Sequence, residues 1–476
     1  MYDSIIIGAG VTGASVAREL SKYDGKFLVI EKTEDVCTGT SKANTAIIHG
    51  GYDAKPGSMK AKMNVRGTEL AEVLSKEIGF PYQKRGTIVV CRSEKDRPLL
   101  QKLYDRGIQN GVKGLQIIEQ DKVRELEPNI NDDVICALYC SEAGISNPFL
   151  INIAMAENAH ANGVDFNLNE EVVGFEEYEN YWIVYTSNGK SYKTRSVVNA
   201  AGLYADVLHN MVSDLNDKLS IHPRRGEYYL CDKEHGNHIN HTIFDLPTEK
   251  GKGIVVTPTV DGNLLIGPTS TFQDSKEDKI TTQEDLNKIR EGSALTTKNL
   301  PYSSVIRSFS GLRAHEEKDD FVIREVKNRF YDCSGIESPG LSSCFAIGEY
   351  VSNMVSRDLN LNENSKFNGH RDPIIQTNEL TEEEHQLLIK NNPKYSKVIC
   401  RCESVTEQEI IDAIRRPLGA KTVDGIKRRV RASAGRCQGG FCLPKLIEIL
   451  SRELDIPMEE VVQNEPGSNY TFGKLK

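Results

Sequence analysis

Four cysteines near the C-terminus have a spacing that could hold metal. Cys400 and Cys402 are separated by one residue and Cys437 and Cys442 by four, which gives the pattern C-x-C-x34-C-x4-C. Four thiolates suit either a zinc ion or a 2Fe-2S cluster, and the narrow first spacing favours iron because zinc sites more often use C-x2-C. Two helices are predicted around them, one with Thr406 as a candidate N-cap.

Basic residues cluster shortly before the third of these cysteines. A four-thiolate ferric cluster is anionic, so nearby cations would make its reduction easier. The same run is also typical of a solvated helix face or of a docking patch, and these interpretations stay open here. The residues concerned are Lys427, Arg428, Arg429, Arg431 and Arg436.

The other seven cysteines show no metal-ligand spacing. They are scattered through apolar or strand-like contexts, which predicts reduced thiols in the core. They are Cys37, Cys91, Cys136, Cys140, Cys231, Cys333 and Cys344.

The N-terminal segment "YDSIIIGAGVTGASVARELSKYDGKFLVIEK" has the pattern of a strand, a glycine turn, an amphipathic helix and a second strand. Gly8 permits the tight turn, Gly10 lets the backbone approach a pyrophosphate, and Gly13 lets the helix pack on the strand. Glu31 lies at the offset of about 20 residues at which an acid accepts hydrogen bonds from ribose. The segment predicts a dinucleotide site, and both NAD and FAD fit it.

Two later segments bear on the choice of cofactor. "RSVVNAAGLYADVL" predicts an apolar strand that runs into a turn of small residues, as if a distant part of the chain returned to the same sheet. Such a return suits FAD enzymes with a discontinuous cofactor domain. "TGTSKANTAIIHGGYDAKPGSMKAK" is too long for a plain connection, and loops of this kind usually bind something.

Length and charge narrow the classes of function. A chain of 476 residues suggests two or three domains, because single cores stop growing near about 250 to 300 residues. The net charge of −9 disfavours a nucleic-acid binder and leaves small anionic substrates open. The N-terminus has neither a basic n-region nor a long apolar run, so we expect a cytoplasmic protein with no transmembrane segment.

Several motifs together resemble the FAD-dependent family that includes D-amino-acid oxidase. Within it, the chain resembles the branch of FAD-linked glycerol-3-phosphate dehydrogenases and L-2-hydroxyglutarate dehydrogenases over about residues 1–370. The resemblance is carried by "GAGVTG", "TSKANTAIIHGGYD", "NAAGLYAD", "RRGEYYL", "GNLLIGPTS", "SGLRA" and "ESPGLSSCFAIGEYV". The stretches "ICRCESVTEQEI" and "GRCQGGFC" resemble the bacterioferritin-associated-ferredoxin type of 2Fe-2S domain.

The resemblance implies an α/β protein in which a doubly wound FAD-binding domain of discontinuous segments carries an antiparallel-sheet substrate domain. A small helical 2Fe-2S domain with four cysteine ligands follows. The FAD-binding domain is expected at residues 1–85, 144–215 and 306–370, the substrate domain at 86–143 and 216–305, a connector at 371–397, the 2Fe-2S domain at 398–450 and a loosely packed tail at 451–476.

The resemblance also implies the residues around FAD. "SPGLSSCFAIGEYV" predicts a glycine turn that opens a helix, whose N-terminus could stabilise negative charge on the reduced flavin. The expected cofactor-binding residues are Gly8, Gly10, Gly13, Glu31, Thr40, Ser41, Thr45, Val172, Gly202, Gly340, Leu341 and Ser342.

Oxidation of a secondary alcohol needs a hydride acceptor, a base and cations that orient the substrate. His49 matches the family histidine that acts as the base, and Arg313 matches the arginine that binds the anionic group of the substrate. Lys252 and Arg225 are further candidate cations. Glycerol 3-phosphate is the first expected substrate and L-2-hydroxyglutarate the alternative.

The 2Fe-2S domain predicts that electrons leave singly toward an electron-accepting protein subunit. A non-catalytic adaptor, in which flavin and cluster only relay electrons for a partner, is the alternative from another class.

Overall fold

The computed structural model describes residues 1–246 and 253–473, and its elements are numbered in chain order. The strands of the N-terminal half are β1 Tyr2–Ile7, β2 Phe27–Ile30, β3 Ile47–Ile48, β4 Tyr82–Gln83, β5 Thr87–Cys91, β6 Leu115–Glu119, β7 Cys136–Cys140, β8 Gly144–Ser146, β9 Asp165–Asn167, β10 Val172–Tyr178, β11 Tyr181–Thr186 and β12 Ser191–Asn199. Those that follow are β13 Ile221–Cys231, β14 Thr242–Asp245, β15 Val256–Pro258, β16 Leu264–Ile266, β17 Thr271–Phe272, β18 Val305–Glu316, β19 Val322–Lys327, β20 Phe330–Ser334, β21 Val398–Cys400 and β22 Val405–Thr406.

The α-helices lie between and after these strands. They are α1 Val11–Leu20, α2 Met59–Ile78, α3 Arg97–Gln109, α4 Gln120–Leu126, α5 Pro148–Ala161, α6 Ala205–Val212, α7 Gln283–Ser293, α8 Gly340–Leu359, α9 Glu382–Asn391, α10 Glu407–Arg415, α11 Val423–Val430 and α12 Leu443–Leu454. Among the described residues, none of these helices combines the length and the apolar character needed to cross a membrane.

The first sheet has a parallel centre in the order β9-β2-β1-β12-β20. The central strands β1 and β2 are runs of buried aliphatic residues, as expected of parallel strands that are covered on both faces. Helices α1, α5 and α8 cover one face. The antiparallel strands β10, β11 and β19 extend the sheet at its sides. This is the expected doubly wound domain, and the chain enters it three times.

The second sheet runs in the order β17-β13-β16-β15-β14-β5-β7-β6, with β18 paired to β13. It is antiparallel except for the parallel pair β5 and β14. Strand β18 pairs with β13 from Val305 to Glu316, so the sheet continues past the boundary expected at residue 305. Because β13 and β18 pair along their whole length, side chains from these two distant segments lie on one face of the sheet.

The C-terminal module consists of β21, β22, α10, α11 and α12. Thr406 caps α10 in a capping box with Glu409, which stabilises the helix start directly after the first two cysteines. The module shares one continuous hydrophobic core with α1, α5 and α8. Burial of this shared apolar surface holds the module against the cofactor domain.

The last residues pack more closely than the expected loose tail. Val461 is buried in the shared core. The carbonyl oxygens of Val462 and Gln463 accept hydrogen bonds from the backbone amides of Val423 and Asp424 at the start of α11. Tail and module thus form one unit.

Candidate active site and cysteine site

A cavity of about 1740 Å³ lies between the two large sheets. It exceeds the roughly 300–1,000 Å³ of an ordinary small-molecule pocket, as a bound dinucleotide requires. Of the expected cofactor-binding residues, Gly13 and Ser342 do not line the cavity. The expected site residues that line it are Gly8, Gly10, Glu31, Thr40, Ser41, Thr45, His49, Val172, Gly202, Arg313, Gly340 and Leu341.

The chain around the turn between β1 and α1 packs so closely that only glycine fits at two positions, Gly8 and Gly13. Gly8 has φ +100°, and a Cβ there would lie 2.6 Å from the Ala200 carbonyl oxygen. A Cβ at Gly13 would lie 1.9 Å from the Gly8 carbonyl oxygen, so helix and strand touch at this point. Gly10 is the N-cap of α1 and has no side chain that could cap the helix. Although the Val11 amide donates to Ser41 Oγ, the next amides of the first turn point toward the cavity end of the helix and fit a pyrophosphate.

Glu31 directly follows β2 and lies beside this turn. Its Oε2 accepts the Ala9 amide at 2.7 Å, and its Oε1 accepts the amide and the hydroxyl of Thr33 at 3.0 and 2.9 Å. These bonds fix the carboxylate beside the turn. A carboxylate has about four acceptor positions, so capacity remains for ribose hydroxyls.

The long loop after β2 closes another wall of the cavity. Ser41 Oγ accepts the Val11 amide at 3.0 Å, and Thr40 Oγ1 donates to the Leu312 carbonyl oxygen on β18 at 2.8 Å. The loop therefore joins the start of α1 to the second sheet. At Gly202, with φ +57°, an added Cβ would meet nothing within 4 Å.

Helix α8 begins at the cavity with no side-chain cap. Gly340 and Leu341 line the cavity in its first turn. The first amides of a helix have no partner within the helix and carry partial positive charge. This arrangement fits a group that becomes negatively charged, such as a reduced flavin.

His49 follows β3 on the cavity wall, where its backbone is held on both sides. Its amide donates to Ser342 Oγ at 2.8 Å, and its carbonyl oxygen accepts from Asn64 Nδ2 and Thr68 Oγ1, each at 2.6 Å. The ring lies 5.8 Å from the Phe244 ring, centroid to centroid. Ser342, expected at the cofactor, instead positions the candidate base.

Arg313 and Arg224 are cross-strand partners on β18 and β13, so their side chains share the face that lines the cavity. The Arg313 guanidinium lies over Gly226 and donates to the Thr269 carbonyl oxygen at 3.2 Å. Across the described ranges, Arg313 has no carboxylate partner. Its charge is available to an anionic ligand.

Arg225 does not reach the cavity, contrary to its expected role. Successive side chains of a strand point to opposite faces, and the structure places Arg224, not Arg225, on the cavity side. The Arg225 side chain is buried within 4.0 Å of carboxylates of Glu227, Asp278 and Asp285. The other expected cation, Lys252, lies outside the described residues.

Glu337 is a buried acid that the sequence did not single out. Its carboxylate accepts from Lys60 Nζ at 3.0 Å, from Arg224 Nη2 at 2.5 Å and from His315 Nδ1 at 3.0 Å. Burial would raise the pKa of Glu337, but Lys60, Arg224 and His315 outweigh burial and lower the pKa to about 2. Glu337 thus stays ionised and fixes two cations at the cavity wall.

The four C-terminal cysteines come together in two pairs. The Cys400 thiol interacts with that of Cys442, and the Cys402 thiol with that of Cys437. Among these described residues, no three sulfur atoms lie within 4.8 Å of one another. A tetrahedral zinc site would hold all four about 3.8 Å apart, given Zn–S bonds of about 2.3 Å. Four cysteine thiols arranged in this way suit a 2Fe-2S cluster.

Backbone geometry around the thiols also fits a cluster. Ser404, Ser433 and Gln438 have positive φ although none is glycine, and non-glycine residues rarely adopt this conformation outside constrained sites. Backbone hydrogen bonds reach the Cys400 and Cys437 sulfurs. Such bonds stabilise thiolate ligands.

The basic run before Cys437 is neither a solvated face nor a docking patch, because the described structure pairs each member with an acid. Arg428 and Arg429 bind the buried Asp35 in the loop after β2 at 2.7–2.8 Å. The other pairs are Lys427 with Asp424, Arg431 with Asp261 and Glu403, and Arg436 with Asp232 and Glu234. Four of the five clamp the module to the rest of the chain.

The seven remaining cysteines are all buried, as expected of core thiols. Burial raises the pKa of Cys37 to about 12 and that of Cys140 to about 11. Cys37 and Cys140 are therefore protonated and poorly reactive.

Two family profiles match the chain. Residues 3–354 match the FAD dependent oxidoreductase family, DAO, and residues 398–452 match the BFD-like 2Fe-2S binding domain. The first covers the two large sheets and the cavity between them. The second covers the four paired cysteines.

Individual proteins match as well. Over 481 aligned residues the chain is 48% identical to a glycerol 3-phosphate dehydrogenase of Caloramator mitchellensis, which covers 100% of this chain and 99% of that protein. It is 32% identical to a mitochondrial L-2-hydroxyglutarate dehydrogenase of Mus musculus across 57% of this chain and 61% of that protein. The solved structure of dithionite-reduced L-α-glycerophosphate oxidase from Mycoplasma pneumoniae with FAD bound aligns with a TM-score of 0.73 at 31% identity, covering 79% of this chain and 99% of that one.

Proposed function

Because the chain belongs to the family of FAD-dependent oxidoreductases and ends in a 2Fe-2S binding domain, we propose that it oxidises glycerol 3-phosphate to dihydroxyacetone phosphate. The electrons leave through the 2Fe-2S module to a protein acceptor. The observation that carries the proposal is the position of His49 and Arg313 on the wall of one cavity. The glycerol 3-phosphate dehydrogenase with 48% identity over the full chain supports the choice of substrate.

FAD, when bound, supplies the hydride acceptor, and the 2Fe-2S cluster supplies a one-electron carrier. The glycine turn at Gly8 and Gly10, together with Glu31, would hold the dinucleotide. Cys400, Cys402, Cys437 and Cys442 would hold the 2Fe-2S cluster.

His49 takes the hydroxyl proton of the substrate while the C–H bond gives up its electron pair. A neutral imidazole has one unprotonated ring nitrogen that can accept a proton. Ser342, Asn64 and Thr68 fix the His49 backbone, so the ring is preorganised. Preorganisation of this kind lowers the barrier because little orientation remains to be gained in the transition state.

Arg313 binds the phosphate of the substrate. A planar guanidinium can donate to two phosphate oxygens at once. Arg224 lies opposite it on the same strand face and adds positive potential, although Glu337 holds one of its donors. Two arginines on one face favour the doubly charged phosphate ester over a single carboxylate.

L-2-hydroxyglutarate remains the second candidate substrate. Its carboxylates suit the same arginines, and the mouse relative favours it. That match spans little more than half of either chain, whereas the match to the glycerol 3-phosphate dehydrogenase spans nearly all of both. We therefore place the phosphate ester first. The non-catalytic adaptor would need neither His49 nor Arg313 in the cavity.

A cytoplasmic location belongs to the same proposal. Seven buried thiols and a cluster with thiolate ligands suit a reducing compartment.

The test is anaerobic mixing of the FAD-loaded protein with each candidate substrate. Glycerol 3-phosphate should bleach the flavin absorbance rapidly, and L-2-hydroxyglutarate should bleach it at least about tenfold more slowly. His49→Ala should slow the bleaching by roughly 100- to 10,000-fold, the usual contribution of a general base. His222→Ala, which changes an exposed histidine at the start of β13, is the matched control and should bleach normally.

The substrate assignment fails if L-2-hydroxyglutarate bleaches the flavin faster. If His49→Ala keeps the wild-type rate while it retains FAD, His49 is not the base. If neither substrate bleaches the flavin, the adaptor takes precedence.

A further inference from the structure

The four cysteines of the C-terminal module are unequally exposed. Cys400 and Cys442 are each 1% exposed and belong to the core shared with the cofactor domain. Cys402 is exposed and Cys437 is partly exposed. Because Cys400 and Cys442 are buried while Cys402 and Cys437 reach the surface, the site has a buried end and an end that faces solvent. Only the second end can be approached by another macromolecule.

A large apolar side chain stands beside this open end. Phe441 lies between Cys437 and Cys442 in the sequence, and it is 81% exposed. A single exposed apolar residue needs no explanation in itself. Phe441 is relevant because it lies next to a solvent-facing metal ligand. A partner protein that buries this phenylalanine would gain about 1.5–3 kcal/mol of binding free energy beside the exposed cysteines.

Two guanidinium groups flank the same end without an acidic partner. Arg401 is exposed, and in the described chain it makes no ion pair. Arg307 is exposed. Among the described residues its Nη1 donates only to Gln438 Oε1, at 3.4 Å, and Gln438 directly follows Cys437 in the sequence. The basic residues later in the module, from Lys427 to Arg436, are all paired with carboxylates. These two positive charges therefore remain for an external anion.

We propose that Cys402, Cys437, Phe441, Arg401 and Arg307 form an exit face that docks an acidic one-electron carrier protein. The inference rests on the proposed function, since it names the partner of that same electron route. An apolar centre with a charged rim is the usual form of a protein interface, and redox encounters are small and weak. The positive rim on a chain of net charge −9 gives the carrier a specific direction of approach.

The electron balance requires two encounters for each substrate. One secondary alcohol gives up two electrons and two protons as its ketone forms. Each carrier takes one electron, so two oxidised carriers become two reduced carriers and two protons are released. A weak, rapidly dissociating interface suits such repeated use.

The test uses two forms of one carrier as probes. Native cytochrome c is basic, and succinylated cytochrome c carries carboxylates in place of its lysine charges. Under anaerobic conditions and at low ionic strength, the holoprotein with glycerol 3-phosphate should reduce the succinylated form at least about tenfold faster than the native form. Added salt should shrink this ratio, because it screens the charges.

Variants of the exit face should change transfer and leave flavin bleaching as it is. Arg401→Glu combined with Arg307→Glu should slow reduction of succinylated cytochrome c at least about tenfold and speed reduction of the native form. Phe441→Ser should slow both. The matched controls are Arg357→Glu at the end of α8 and Phe472→Ser in the tail, both at exposed positions, and neither should alter either rate.

Equal reduction of the two cytochromes, or an unchanged preference in the double variant, overturns the exit face. If the wild-type protein sediments as a dimer and Phe441→Ser as a monomer, the face is a contact between copies of this chain and the proposal is wrong. If glycerol 3-phosphate does not bleach the flavin, the proposed function has failed by itself. The cytochrome comparison then still decides the exit face, with electrons supplied by stoichiometric dithionite.

Discussion

Arg313 reaches the cavity across the backbone of Gly226. A Cβ at this position would lie 2.6 Å from Arg313 Nη2 and 2.8 Å from Pro268 Cβ. Gly226 of "RRGEYYL" must therefore be glycine, because the Arg313 side chain from the neighbouring strand occupies the space that a Cβ would need. Arg313, which we propose binds the substrate, and Gly226, which leaves space for its guanidinium, are 87 positions apart, so a larger residue at Gly226 would displace Arg313.

Gly226→Ala should therefore impair substrate binding. The added methyl group displaces the guanidinium, so the KM for glycerol 3-phosphate should rise at least about tenfold while bound FAD is retained. Steady-state kinetics with FAD absorbance as the measure of cofactor content provide the check. Gly174→Ala is the control, because a Cβ at Gly174 meets nothing within 4 Å. An unchanged KM in Gly226→Ala would show that Arg313 does not bind the substrate.

Local spacing predicts some residues of the site and misses others for a physical reason. The glycine turn and Glu31 lie within one βαβ unit, so their proximity follows from short-range geometry. Arg224 and Arg225 are neighbours in sequence, and only the pairing of β13 with β18 decides which one shares a face with Arg313. That register is set by contacts between distant segments. Glu337 is missed for the same reason, since its three partners come from three separate elements.

At the scale of elements, the C-terminal module is held by buried carboxylates of the cofactor domain. Asp35 accepts from both Arg428 and Arg429 on α11. Burial raises the pKa of Asp35, but Arg429 and then Arg428 outweigh burial and leave the pKa below its ordinary value. Glu157 on α5 binds Arg416 of the module in the same way. Asp35 lies in the loop that follows Glu31. The same loop therefore contributes one residue to the cofactor site and one residue that holds the C-terminal module.

Removal of the Asp35 carboxylate should destabilise the whole chain. Asp35→Ala leaves the buried Arg429 without a carboxylate partner and Arg428 with only Glu34, at 3.8 Å, and loss of one partner of a buried pair costs about 3–5 kcal/mol. Urea unfolding of the FAD-loaded protein, followed by fluorescence of the single tryptophan, Trp182, should show a clearly lower midpoint. Glu72→Gln breaks an exposed pair with Lys76 on α2 and should change little. Equal midpoints for the two variants would contradict a structural role for Asp35.

The elements themselves were largely predictable, and their contacts were not. Apolar runs and the glycine turn predicted the parallel strands, and the Thr406 cap predicted the start of α10. The basic run in α11 has the pattern of a solvated helix face, because its partner Asp35 lies almost 400 residues away in the sequence. Burial of an ion pair depends on how two modules meet, and periodicity within one helix carries no information about that.

At the scale of the whole molecule, the cavity and the cysteine site belong to one continuous structure. The apolar core runs from α1 and α8 into the module up to Cys400 and Cys442, while Cys402 and Cys437 lie toward solvent. A shared core of this kind keeps the relative position of the two redox sites fixed. We propose that electrons pass in the same order, from the cavity to the exposed cysteines at the surface.

The most direct test of this account is anaerobic titration of the purified protein with glycerol 3-phosphate, monitored by visible absorption and by electron paramagnetic resonance. The account predicts loss of the flavin absorbance together with the signal of a reduced 2Fe-2S cluster, and about two irons per chain. Zinc in place of iron, or a flavin that is bleached while the iron centre stays oxidised, would contradict it.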